Sequence, residues 1–318
     1  MTGAVLPTGE QWEIRYRAPN ALHEACITQT GANLRSYTID SRPLVHGFGA
    51  DEPCPAYRGA TLLPWPNRVG DGTYTFGGQE RQLSLTEPGR ANATQGLVHW
   101  QDWHLVRREE HEIVVATTLR PQPGWDWSLR CRITFSLDVD GLRVTPWVRN
   151  ESETEAPFGY GAHPYLTCGE EHIDELEMRL PAASSLMVDE TRLLPVRGSL
   201  ADSVAPVTPD ADLRDGPALA DLVLDTAYTE LAADDDGVWR AQLWHPQTGR
   251  STTLWAPVAD FGWAQVFTGD ELPEPLNRRS GVAVEPMTCG PDALRTREGL
   301  IALAPGQEWS ATWGVTGS

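Results

Sequence analysis

No stretch of the 318-residue chain comes near the roughly 18 consecutive apolar residues that cross a bilayer. The first dozen residues, Met1 to Trp12, carry neither a basic start nor an apolar run of the secretory kind. Basic residues are scarce: 25 Lys and Arg against 44 Asp and Glu leave a net charge of −19. That argues against nucleic acid and anionic membrane as partners, since both need a basic surface. It also weighs against a phosphorylated ligand. The five cysteines, at 26, 54, 131, 168 and 289, show no CxxC spacing. An odd count without an export signal reads as reduced thiols in a cytoplasmic protein. The eight histidines lack HxH or HExxH spacing, and no P-loop, GxSxG elbow or dinucleotide glycine fingerprint is present. No metal site is expected. Asp234-Asp235-Asp236-Gly237 lacks the calcium-loop spacing and reads as an acidic turn.

What is abundant points one way. Glycine (29) and proline (25) suit many short strands joined by turns. Thirteen tryptophans exceed what an ordinary core needs, and sugar clefts use aromatic faces, although most of the thirteen are expected in the core. Length alone suggests about two domains, but sandwiches often exceed 200 residues as one unit. The expectation is an all-β single-domain β-supersandwich over 1–318.

Strands are expected over 11–19 and 24–40, the second broken by a turn at Gly31. Ala60 to Leu63 reads as a strand ending in the rigid loop Pro64-Trp65-Pro66. Tyr74 to Leu85 reads as a hairpin about Gly77-Gly78. Residues 86–98 read as a loop into Gly96 to Trp100. Alternation is clearest in 112–119, 129–137 and 142–150, with a turn at Asp140-Gly141. Strands continue through 173–190. Residues 200–221, rich in Pro, Asp and Ala, read as one long loop. Further strands are expected near 238–245, 251–257, 261–268, 281–286, 299–304 and 308–315.

Four residues stand out by context. His163 lies in Phe158-Gly159-Tyr160-Gly161-Ala162-His163-Pro164-Tyr165, where the glycines permit close approach and Pro164 biases His163 to extended backbone. A core or turn histidine is the plainer account of those eight residues alone. Glu285 ends the apolar run Val282-Ala283-Val284, where desolvation raises a carboxyl pKa. Pairing with Arg278, Arg279 or Arg295 would make it merely structural. Arg68, after Asn67, offers a rigid donor fork for hydroxyls or a surface ion pair. Asp225, after Leu222-Val223-Leu224, is either a sugar-hydroxyl acceptor or a capping residue.

Together these segments resemble the aldose 1-epimerase (galactose mutarotase) family. The likeness rests on Asn67-Arg68-Val69-Gly70 through Tyr74-Thr75-Phe76-Gly77-Gly78, on Gly161-Ala162-His163-Pro164-Tyr165 and on Leu224-Asp225-Thr226-Ala227-Tyr228. It extends through Trp263-Ala264-Gln265-Val266-Phe267-Thr268-Gly269, Val284-Glu285-Pro286 with Pro291-Asp292-Ala293, and Leu303-Ala304-Pro305-Gly306. Six segments in family order span nearly the whole chain.

The resemblance implies a galactose mutarotase-like β-supersandwich that interconverts the α and β anomers of a free aldohexose such as glucose or galactose. Glu285 would be the general base on the anomeric hydroxyl and His163 the general acid on the ring oxygen. Arg68, Asn67, Asp225, Gln265, Gln95 and Tyr165 would contact the sugar. It implies no cofactor, no metal, and a monosaccharide as the partner of a monomer or homodimer. Reference pKa values of about 4.3 and 6.5 place both groups in or near the required charge states. Where the family usually has a histidine before a glycine, this chain has Gln95, which cannot carry a mobile proton. His99 shares its parity on a strand, but about 13 Å further along, so it reads as a contact for an extended substrate or as part of the rim. Three other functions remain open at this point, one of them a polysaccharide-processing domain, against which the lack of a secretion signal argues. A hexose-6-phosphate 1-epimerase would place Arg58 on the phosphate. A non-catalytic sugar-binding or sensing protein would tolerate Gln95.

Overall fold

Alternating apolar residues build two large sheets. The computed structural model describes residues 5–169, 172–273 and 279–318. Among these residues the larger sheet has twelve strands. It starts from the antiparallel meander Gln11–Ala18, Ala21–Thr28, Leu34–Ile39 and Arg42–Val45. It continues through Tyr165–Leu166, Val282–Met287, Trp263–Phe267, Asp225–Leu231, Ala182–Leu186 and Val204–Pro206. The strand Gly161–His163 joins it off this path, pairing with both Val282–Met287 and Ala60–Leu62.

The second sheet has nine strands, led by His104–Arg108, Glu112–Leu119, Leu129–Asp138 and Gly141–Asn150. In Leu129–Asp138, Leu129, Cys131, Ile133, Phe135 and Leu137 are buried while their neighbours face out. That period of two is what a half-buried strand requires. One hydrophobic core takes side chains from both sheets, among them Ile14 and Ile27 from the first and Val115 and Ile133 from the second.

The expected strands are present with shifts at their ends. The span 24–40 is two strands separated by a turn at 29–33, and 308–315 is split into Glu308–Ser310 and Trp313–Gly317. Two loops hold more structure than the sequence suggests. Residues 86–98 contain a 3-10 turn, Pro88–Arg90, and the strand Asn92–Thr94, which pairs with Arg68–Gly70. Residues 200–221 contain the helix Leu200–Ser203, capped by the Ser199 side chain, and the edge strand Val204–Pro206. Residues 173–190 open with a 3-10 turn, Ile173–Glu175, rather than a strand.

The acidic turn at Asp234 to Gly237 grips a cation of its own chain. Arg240 pairs with Asp234 and Asp236, each at 2.6 Å. No helix among the described residues is long and apolar enough to cross a membrane.

Candidate active site

The larger sheet carries the chemistry. Gln265 lies directly across from Glu285 on the neighbouring strand, and Asp225 lies across from Phe267. Side chains opposite one another share a face, so Gln265 and Glu285 point to the same side. His163 reaches that side from the strand Gly161–His163, whose Gly161 is paired with Met287. A Cβ at Gly161 would meet Pro66 Cβ at 2.8 Å, and one at Gly159 would meet Cys289 Sγ at 2.6 Å. The glycines thus let this segment lie against the Pro66 loop, the close approach read from the sequence.

These residues converge on a cavity of about 280 Å³. His163, Glu285, Asn67, Arg68, Gln95, Asp225 and Tyr165 line it. Gln265 does not. It stands behind, 3 % exposed, accepting from Asn67 Nδ2 at 3.2 Å and donating to Asp225 Oδ1 at 2.5 Å. No tryptophan among the described residues lines the cavity; its aromatic wall is Tyr57, Tyr165 and Phe267.

His163 Nε2 lies 3.2 Å from Glu285 Oε1, with both side chains buried. His163 Nδ1 and Glu285 Oε2, also buried, have no hydrogen-bond partner. Burial pushes Glu285 well above the usual carboxylate range, with the Asp225 carboxylate adding to it; Arg68 and the Gln95 amide oppose the rise without cancelling it. Burial pushes His163 down to about 3, with Arg58 and Arg68 adding to the fall. Neither group therefore sits near its reference value, contrary to the sequence expectation. Desolvation disfavours the charged form of each, which favours a neutral imidazole against a protonated carboxyl.

Arg68 is a double clamp. Its Nε and a terminal nitrogen donate to Glu87 at 3.0 and 3.3 Å, and the terminal nitrogen also reaches Asp225 Oδ2 at 3.4 Å. Asn67 and Gln95 lock each other. The Gln95 N–H donates to the Asn67 carbonyl at 2.8 Å, and the Asn67 N–H donates to Gln95 Oε1 at 2.7 Å. Both have left-handed backbones, φ 55° and 63°, and with Gly96 also left-handed at 77° the chain turns there. Gly96 to Trp100 is consequently not a strand, and the parity argument for His99 fails. His99 is buried, its ring 5.1 Å from that of Tyr57, and burial lowers its pKa to about 4.

Two tyrosine rings flank His163: Tyr165 at 5.1 Å and 21°, Tyr57 at 6.2 Å and 27°. The Tyr165 hydroxyl donates to the Ala56 carbonyl at 3.1 Å. Arg58 is 1 % exposed and sits over the Tyr165 ring, which removes it as a phosphate contact. The alternative structural partners for Glu285 are engaged elsewhere. Arg279 pairs with Asp174 and Asp270, and Arg295 with Asp292; Arg278 lies outside the described residues.

Sequence reasoning did not find Tyr57, Glu87 or Phe267. Phe267 was available from strand parity with Gln265. Tyr57 and Glu87 come from loops, where no periodicity marks them.

An aldose 1-epimerase family model matches residues 15–316. An uncharacterized protein of Escherichia coli K12, YihR, is 32 % identical over 286 residues, covering 90 % of this chain and 87 % of its own. Among solved structures, a GalM/aldose epimerase homologue from C. elegans superposes with a TM-score of 0.81 at 17 % identity, covering 97 % of this chain and 99 % of its own. A galactose mutarotase-like protein from Clostridium acetobutylicum gives 0.81 at 16 % identity, with the same coverage of both chains. The fold is galactose mutarotase-like.

Proposed function

The chain belongs to the aldose 1-epimerase family, and on that premise we propose that it interconverts the α and β anomers of a free aldohexose such as glucose or galactose. The observation that carries this reading is the buried contact between His163 Nε2 and Glu285 Oε1 at 3.2 Å. Opening a hemiacetal removes one proton from the anomeric hydroxyl and delivers one to the ring oxygen. A pair holding one proton between its members does both. Glu285 takes the hydroxyl proton and His163 gives its own to the ring oxygen. After rotation about C1–C2 the transfers reverse, and the pair ends as it began.

Burial makes this pair more reactive than its counterparts in water. A carboxyl whose pKa is raised is a stronger base once ionised. An imidazolium whose pKa is lowered is a stronger acid. Opening converts the charged pair, reached by proton transfer across the 3.2 Å contact, into the neutral pair that desolvation favours. The apparent pKa values belong to the pair rather than to either residue.

Arg68, Asn67, Asp225, Gln95 and Tyr165 stand where they would meet hydroxyls or a ring face, and Gln265 holds Asn67 and Asp225 in place. A cavity of about 280 Å³ is just below the range of about 300–1,000 Å³ for drug-sized ligands, which favours a single monosaccharide. The free sugar is favoured over its phosphate because Arg68 already lies against Glu87 and Asp225. A phosphate drawn to Arg68 would meet both carboxylates.

The test is anomer exchange of α-D-glucose and α-D-galactose, followed by NMR or polarimetry. Saturable acceleration is expected, lost in Glu285→Gln and His163→Asn with folding retained. Binding without acceleration would leave a sugar-binding protein. Acceleration confined to 6-phosphosugars would overturn the choice of substrate.

A further inference from the structure

Arg58 has no part in those proton transfers, yet a buried guanidinium is costly to keep. Its placement against the pair is fixed through the backbone. Arg58 precedes Gly59, whose N–H donates to the His163 carbonyl at 2.9 Å, and Ala60 is the strand partner of His163. Gly59 has φ +68°, and a Cβ there would lie 2.1 Å from the Leu34 carbonyl oxygen, so this register admits little change. The Arg58 guanidinium carbon is 5.1 Å from the Tyr165 ring centroid. That ring in turn stacks on His163 at 5.1 Å. Tyr165 is 1 % exposed, so a buried aromatic ring packs against both the cation and the imidazole.

We propose that Arg58 is a positioning residue for the shared proton: its fixed charge, held against the Tyr165 ring that stacks on His163, adds to burial in disfavouring the imidazolium and makes the protonated ring a stronger acid when sugar is bound. The proposal rests on the reading of His163 and Glu285 as acid and base. Water would screen such a charge, whereas a packed ring does so far less. The other groups facing the pair are Arg68 from the strand Arg68–Gly70, Asp225 from the strand Asp225–Leu231, Gln95 from the turn after Asn92–Thr94, and Tyr57 from the loop before Ala60. Arg68 is already offset by Glu87 and Asp225. Glu52 and Cys54 act on Arg58 itself, after burial.

The molecule contains its own control. His46 is lowered to about 4 by burial and then by Arg58, whereas His99 is lowered to about 4 by burial with no contribution from Arg58. The experiment is an NMR titration of the labelled imidazole nitrogens in wild type, Arg58→Met and Arg58→Lys. In Arg58→Met, His163 and His46 should titrate about one pH unit higher, as for a unit charge about 10 Å away at an effective dielectric of about 20. His99 should stay, and Arg58→Lys should return the shifted pair toward wild type. The acid limb of kcat/KM for anomer exchange should move up with His163.

Unmoved histidines in folded Arg58→Met would overturn the proposal. So would all three moving together, the mark of a loosened structure. If Arg58→Met does not fold, Arg58→Gln takes its place: a rise in His163 and His46 but not in His99 supports the idea, and no rise refutes it. Wild type that fails to speed anomer exchange would end the functional reading, while the titrations would still judge Arg58.

Discussion

Two buried ionisable side chains lie six residues apart in the chain and differ in how fully they are bonded. Arg279 is 6 % exposed and Glu285 is 2 % exposed. Each of the three guanidinium nitrogens of Arg279 is taken: Nε by Asp174 at 2.6 Å, one terminal nitrogen by Asp270 at 2.7 Å and the Leu222 carbonyl at 3.0 Å, and the other by the Leu219 carbonyl at 2.7 Å. The Thr268 hydroxyl donates to Asp270 in turn. Around Glu285 the supply stops short. One oxygen has His163, the other has no hydrogen-bond partner, and the Gln95 amide offsets only part of the desolvation. A buried charge with all its bonds made braces a fold. A buried acid and base left short of partners hold chemistry in reserve. The comparison also explains why Arg279 is not the partner of Glu285: its guanidinium is fully engaged by Asp174, Asp270 and two carbonyls.

If this contrast is right, function and stability should separate between the two sites. The largest effect is expected at Glu285. Glu285→Gln should slow anomer exchange by about 10²–10⁴-fold, with unfolding free energy unchanged or slightly raised in urea. Arg279→Met should do the reverse. It should cost about 3–5 kcal/mol of stability, because Asp174 and Asp270 lose their partner, while kcat of the protein that remains folded stays near wild type. A Glu285→Gln protein that is badly destabilised, or an Arg279→Met protein that is stable and inactive, would break the comparison.

Acid should expose the same difference. His46, His99 and His163 have folded pKa values of about 4, 4 and 3 against 6.5 when unfolded. The unfolded chain therefore binds protons first as pH falls. The stability these groups give is complete above 6.5. It is lost toward 4 and 3, at about 1.4 kcal/mol per pH unit for each histidine. Glu285 works in the opposite sense, since its raised folded pKa costs stability as pH rises above 4.5. Urea midpoints at pH 7, 5.5 and 4.5 should fall in that order, and less steeply in His99→Asn. A flat profile would show that these rings are not buried neutral.

The smallest effect is expected at Gln95. Gln95→Ala removes the acceptor for the Asn67 N–H and should cost about 1–3 kcal/mol. Because Asn67 faces the cavity, KM should rise more than kcat falls. An unchanged KM would show that the Asn67–Gln95 lock does not shape the site.

Much of the fold was legible because long strands announce themselves. Leu129–Asp138 and Gly141–Asn150 alternate cleanly, and the hairpin Thr73–Phe76 to Gln79–Gln82 turns on Gly77-Gly78. Ala156–Phe158, Gly161–His163 and Tyr165–Leu166 are too short to show a period. Their pairing is set by neighbours more than a hundred residues away. The residues of the site were legible through the motif order, and His163, Glu285, Arg68, Asn67, Asp225 and Gln95 do line one cavity. Three things were not legible. The left-handed turn at Gln95 ends the strand before His99. Gln265 stands behind Asn67 and Asp225. The protonation of the pair depends on what is packed around it, which no local stretch of sequence records.

The pairing of Gln265 with Glu285, and of Ala227 with Gln265 on the next strand, has a consequence for how such a site can vary over evolution. Side chains alternate, so one residue gained or lost inside any of these three strands would send its polar group to the opposite face of the sheet. The site is thus encoded by residue count as much as by residue identity. A change of residue count in the loops that bring Tyr57, Glu87 and Leu272 leaves the parity of these strands intact. The same change within the strands does not.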